Sequence, residues 1–133
     1  MLRKFVLILL FAFLLTGCSS KNLDKNVVTF SSWGSITEVE VLKKIISDFE
    51  QENPNIKIQF LHIPQNYFQK LHLLFASNTA PDVVFINNLN LPIYEKYLED
   101  LREYIDEKEF YPVSISSLTY QNKLLAISDF GWP

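Results

Sequence analysis

The sequence predicts an α/β fold built on a parallel-type sheet with helices on both faces. Three observations carry that reading: apolar β-branched runs alternate with stretches of helical period, the connections are a few residues long, and chain breakers fall at the junctions. Residues 27–33 (VVTFSSW) are β-branched and aromatic and stop at Gly34, as a strand does. Ser35 and Glu38 then fit a capping box, with Thr37 and Glu40 a competing pair. Val39, Leu42, Ile45, Ile46 and Phe49 follow at helical spacing, which predicts an inward helix face ending at Asn53-Pro54. Residues 56–63 (IKIQFLHI) alternate apolar and polar as a second strand closed by Pro64. Tyr67, Phe68, Leu71, Leu74 and Phe75 share one face of a second helix that runs out in residues 77–82. Residues 83–86 (VVFI) complete the alternation as a short apolar strand.

Strand, helix, strand, helix, strand with short linkers implies right-handed crossovers and a parallel sheet. Ligands collect at the carboxyl ends of such strands. The loops Trp33-Gly34-Ser35, His62-Ile63-Pro64-Gln65 and Asn87-Asn88-Leu89-Asn90 are therefore expected on one rim. Beyond them, residues 91–110 read as one or two short helices with Tyr94, Tyr97, Leu98, Leu101 and Ile105 inward. Residues 118–127 read as two short strands around a Gln121-Asn122-Lys123 turn.

The start of the chain follows a different logic. Arg3 and Lys4 precede eleven unbroken apolar residues, 5–15, which is the pattern of a secretory signal peptide and too short for a permanent membrane span. Leu15-Thr16-Gly17 leads directly into Cys18, the single cysteine, and these four residues resemble the lipobox of bacterial lipoproteins. That resemblance implies transfer of a diacylglyceryl group to the Cys18 sulfur and cleavage before it, leaving residues 1–17 as signal peptide. Several acyl chains hold a protein far longer than one, since each buried CH₂ contributes about 0.8 kcal/mol. Residues 18–26 are polar, lack periodicity, and read as the lipidated Cys and a flexible tether.

Residues 27–133 are then expected to form the folded part. Losing Arg3 and Lys4 leaves ten basic against fifteen acidic side chains, a net charge of −5 in place of −3. An acidic surface argues against nucleic acid as a partner.

The ordered motifs VVTFSSWG, FEQENPNIKIQF, YFQKLHLLFASNTAPDVVFIN, YLEDLREYI and NKLLAI resemble the N-terminal part of extracellular solute-binding proteins of ABC sugar importers, the maltodextrin-binding type. The most specific pieces are Phe49-Glu50 with residues 53–57 (NPNIK), and Ala76-Ser77 with residues 80–83 (APDV). The resemblance implies the N-terminal lobe of a periplasmic-binding-protein-like (type II) fold, truncated before its second lobe. It further implies a sugar or oligosaccharide ligand, an ABC permease as partner, an extracytoplasmic location on the membrane, and no reaction. The same pieces have a local reading: Asn53-Pro54-Asn55 ends a helix and turns the chain, Pro81 keeps Ala80 extended, and Asp82 bonds backbone amides of its own loop. Asn78 and Asn122 stand where the family has Gly, and Asn tolerates the left-handed conformation. Ser128 stands where the family tends to have Pro.

Candidate ligand contacts are Trp33, Ser35, Asn87, Asn88, Asp129 and Trp132. Trp33 either stacks on the apolar face of a pyranose or packs as core. Ser35 and helix-terminal amides suit hydroxyls, and Asn87 and Asn88 carry amides that both donate and accept. The resemblance brings Asp129 and Trp132 near the cleft. His62 and His72 lack carboxylates at ligand spacing, so no metal is expected, and no cofactor motif is present. Seven carboxylates in residues 95–109 read as a solvated helical face. Nucleophile and zinc signatures are missing, so no catalytic residue is singled out, though fifteen acids leave a glycan-processing enzyme as the alternative. A truncated product with no function is the other.

Overall fold

The computed structural model describes residues 26–128. Strand β1 (Val27–Ser32) pairs in parallel with β2 (Lys57–His62) on one edge and with β3 (Val83–Val84) on the other, giving the order β2-β1-β3. Helix α1 (Ile36–Glu52) connects β1 to β2, and α2 (Tyr67–Ala76) carries the chain from β2 back past β1 to β3. The two crossovers run in opposite directions, so right-handed connections put their helices on opposite faces. Ser31 and Ser32 confirm that both faces are covered: successive strand residues point to opposite sides, and each is 0% exposed.

The two helices are held by different physics. Ser35 caps α1, accepting from the Glu38 amide at 3.4 Å, while the Glu38 carboxylate accepts from the Ser35 amide at 2.6 Å, so the capping box forms at Ser35 and Glu38. Packing contributes less, because Val39 alone among its apolar residues is buried. Leu42 and Ile46 are half-buried, whereas Ile45 and Phe49, expected inward, are exposed together with Val41. Three strands are too narrow a sheet to cover an apolar arc that wide. Helix α2 is the reverse: Asn66 precedes it in the left-handed region at φ 53° with no side-chain cap, and Tyr67 and Leu71 are buried. Ile63, Tyr67, Leu71 and Tyr94 form the core cluster, with Trp33, Phe68, Phe75 and Phe85 packed against it.

Strand β3 is shorter than the apolar run suggested. Two paired residues remain, extended by the Phe85 amide donating to the Ser31 carbonyl at 2.9 Å. Asp82 compensates for that short ladder. Its carboxylate accepts from the Thr29 amide at 2.7 Å and the Thr29 hydroxyl at 2.6 Å, and its own amide donates back to Thr29 Oγ1 at 2.9 Å. The expected bonds to its own loop are thus replaced by bonds to the central strand, because Asp82 lies one step before the Phe30–Val83 pair, opposite Thr29.

Residues 91–110 depart furthest from expectation. They form a four-residue helix α3 (Leu91–Tyr94) and separate 3₁₀ turns at Glu95–Tyr97, Leu101–Glu103 and Glu107–Glu109. Asp100 and Asp106 each accept a bond from the amide two residues on, offering the chain a local alternative to a continuous helix. Tyr94 is buried, Leu98, Leu101 and Ile105 are half-buried, and Tyr97 is exposed. The acidic run is accordingly no helical face. Glu95 pairs with Lys123 at 2.8 Å and Asp100 accepts from the Leu124 amide at 3.0 Å, fastening the hairpin of β4 (Thr119–Tyr120) and β5 (Lys123–Leu124). An unforeseen helix α4 (Pro112–Ser117) precedes that hairpin. Gln121 and Asn122 turn it with both φ positive, and Asn78 is left-handed as the Gly-like positions required.

The bonds from Thr29, hydroxyl first and amide second, hold the Asp82 carboxyl below its ordinary value of 3.8. Its contribution is complete above that value and is lost as pH falls through the lower, folded-state one. Asp82→Asn, which does not titrate, is expected to be less stable than wild type at neutral pH by about 1 kcal/mol, the low end for a charged acceptor because the group is exposed. Thermal melts should show that gap closing below about pH 4, and a gap that persists there would remove the charge from the account.

Candidate functional site

Parallel pairing puts the carboxyl ends of β1, β2 and β3 on one rim, and the three expected loops leave from it. The first is Trp33-Gly34-Ser35. Gly34 sits at φ 134°, where a side chain is strained, and an added Cβ would lie 3.3 Å from Glu38 Cβ. That reversal lets β1 run into a capped helix within three residues.

Trp33 is half-buried and points its indole among aromatic rings. Its centroid lies 4.9 Å from Tyr67, 5.4 Å from Phe68 and 5.5 Å from Phe85, the first and last edge to face. Both readings of Trp33 therefore meet in one residue: one part anchors it in the core cluster and the remainder is accessible at the rim. Ser35 is exposed, with its hydroxyl oxygen accepting from Glu38. Bonds from the Ser35 amide and hydroxyl hold the Glu38 carboxyl below its ordinary value.

Tyr67 joins the rim to the core below it. Its hydroxyl donates to the Ser31 carbonyl at 3.2 Å and receives the Ser31 hydroxyl at 2.9 Å. Burial pushes the Tyr67 phenol up from its ordinary value, so it stays protonated and keeps donating.

The second loop begins at His62, whose Nε2 lies 3.0 Å from the Gly34 carbonyl. This contact bridges the first two loops, and the sequence gave no sign of it beyond placing His62 at a strand end. The third loop is built on Asn87. Its Oδ1 accepts from the Asn90 amide at 3.1 Å and from Asn90 Nδ2 at 2.7 Å, so its acceptor is engaged within the loop. Asn88 is exposed at the start of a 3₁₀ turn. Cys18, Asp129 and Trp132 lie outside the described residues. Among the described residues no group of three His, Cys, Asp or Glu could hold a metal ion, and no helix is long and apolar enough to cross a membrane.

A family model for bacterial extracellular solute-binding proteins matches residues 33–127. The chain is similar to the melibiose/raffinose/stachyose-binding protein MelE of Bacillus subtilis, 29% identical over 110 residues covering 77% of this chain and 26% of MelE. It is 27% identical over 103 residues to an uncharacterized protein in the bglA 3′ region of Thermotoga maritima, covering 74% of this chain and all of that one. Among solved structures, it resembles a periplasmic oligogalacturonide-binding protein from Yersinia enterocolitica with a TM-score of 0.67 and 28% identity, over 74% of this chain and 26% of that one. The chain thus spans about a quarter of the length of two of these three proteins.

Gly34→Ala is expected to cost about 1–3 kcal/mol through backbone strain. Ser35→Ala should cost about 1 kcal/mol through the lost cap. Denaturant titrations measure both, and a Gly34→Ala midpoint equal to wild type would mean that the first loop does not hold its left-handed turn.

Proposed function

The chain belongs to the bacterial extracellular solute-binding protein family, and from that premise we propose that it contributes one face of a sugar or oligosaccharide site that serves an ABC importer. Membership gives a non-catalytic role, so the glycan-processing alternative falls away. The observation that carries the reading is the single rim on which the loops of Trp33, His62 and Asn87 meet. Sugars suit such a rim: an indole presents an apolar edge to a pyranose, and amides pair with hydroxyls. Trp33, Ser35, Asn87 and Asn88 are the proposed contacts, with Asp129 and Trp132 beyond the described residues. MelE and the Yersinia protein, whose names record carbohydrate ligands, support a sugar over other solutes.

We further propose residues 1–17 as signal peptide, Cys18 as the lipid attachment point, residues 18–26 as tether and residues 27–133 as part of an N-terminal lobe. Leu15-Thr16-Gly17-Cys18 behind an apolar leader supports the anchor. It would hold the protein on the extracytoplasmic face of the membrane, within reach of a permease.

A ring and a few hydrogen bonds from one rim supply roughly −4 kcal/mol, a millimolar dissociation constant. Calorimetric titration of the chain with raffinose is expected to show binding of that order. Trp33→Ala should weaken it by about 1–3 kcal/mol, beyond detection. Absence of saturable heat in the wild type would remove the sugar reading; undiminished binding by folded Trp33→Ala would move the site toward Asn87 and Asn88. For the anchor, the expected result is labelled fatty acid on wild type and none on Cys18→Ala, with label on both overturning it.

A further inference from the structure

We infer that His62 is a positioning residue for the ligand rim, a clasp whose ring holds the Gly34 carbonyl and through it fixes Trp33 and Ser35. The inference rests on the rim reading proposed above and adds a residue that touches no proposed ligand group. His62 ends β2 directly opposite Ser32, the last residue of β1. The main-chain ladder continues one bond past that pair, with the Ile63 amide donating to the Ser32 carbonyl at 2.9 Å, and then stops. From there the first loop has no ladder partner, yet its central residue sits at φ 134°.

The His62 ring supplies what the ladder does not. Nε2 lies 3.0 Å from Gly34 O, and a carbonyl only accepts, so Nε2 carries the proton and the tautomer is fixed. Phe60 backs the ring, nearly parallel at 22° with centroids 6.4 Å apart, and itself stacks on Phe30 at 5.4 Å. Support behind and a single acceptor in front restrain the ring at both ends. Glycine is the residue whose backbone moves most freely. Placed between an aromatic anchor and a helix cap, it would let both drift, and a second fixed point on its carbonyl prevents that.

Two substitutions separate this role from bulk packing. His62→Phe keeps an aromatic ring against Phe60 and removes the donor, whereas His62→Gln keeps a donor. Both are made in the full chain carrying Trp132→Phe, so that emission reports Trp33 alone. In His62→Phe, amide exchange at Glu38 and Val39, at the start of α1, is expected about fivefold faster than in wild type, with Trp33 more open to acrylamide. His62→Gln should restore both while exchange in α2 stays unchanged throughout. Wild-type exchange and quenching in His62→Phe would overturn the clasp, as would equal loosening of α1 and α2 in both variants. Raffinose affinity should fall in His62→Phe and return in His62→Gln. No raffinose binding by any variant, wild type included, would count against the sugar reading alone, because exchange and quenching judge the clasp without a ligand.

Discussion

The carboxylate of Asp82 against the main chain of Thr29 is the contact from which the rest of the architecture follows. β1 is the central strand, and its β3 edge carries two paired residues, which is little to fix a strand. The Asp82 side chain extends that edge backwards, with oxygen-to-donor distances of 2.6 and 2.7 Å that belong to charge-assisted bonds. Glu50 does the same on the far side. From the last turn of α1 its carboxylate accepts from the Ile58 amide at 2.7 Å and from Lys57 Nζ at 3.2 Å, and it is held below its ordinary value chiefly by Ile58. Two acids outside the sheet thereby set which strands lie beside β1, and that order makes a single rim.

Inside the sheet, polarity is used sparingly and to a different end. Ser31 and Tyr67 are 0% and 6% exposed, and they satisfy one another while the phenol also reaches the Ser31 carbonyl. A paired polar group in an apolar cluster admits one register, because a shifted helix would leave it unpaired at a cost of about 1–3 kcal/mol. Helix α2 has no side-chain cap to define its start, so this bond and the burial of Leu71 stand in for one. Trp33, packed edge to face on Tyr67, inherits that register.

Local chemistry was legible in the sequence and distant chemistry was not. The capping box at Ser35 and Glu38, the end of α1 at Asn53, and left-handed Asn78 and Asn122 all follow from residues within four positions of one another. The helices expected in residues 91–110 failed for a reason equally local: apolar spacing was read, and the competing caps of Asp100 and Asp106 were not. Asp82 and Thr29 are 53 residues apart, and His62 and Gly34 are 28 apart. No periodicity encodes such pairs. The two pieces that looked most family-specific, around Glu50 and Asp82, owe their distinctiveness to these side-chain bonds onto the sheet, while punctuation by Pro54 and Pro81 explains only where the chain turns. Of the candidate contacts, Trp33, Ser35, Asn87 and Asn88 do lie at the strand ends, but the bridge between two of their loops came from a histidine weighed only as a metal ligand.

The rim's polar groups are already committed to one another, and this shapes what it can offer a solute. Ser35 Oγ serves the helix amide, Asn87 Oδ1 serves Asn90, and His62 Nε2 serves Gly34. What is left is the side amide of Asn87 as a donor, the whole amide of exposed Asn88, and part of an indole held by three rings. Few free donors mean few strong bonds. The compensation is order, since loops fixed before a ligand arrives lose little freedom when it does, and each side chain already immobilised removes a binding cost of about 0.5–1.5 kcal/mol. Such a surface selects by shape and by where its few amides stand, which suits a rigid ring carrying many hydroxyls better than a flexible chain carrying few.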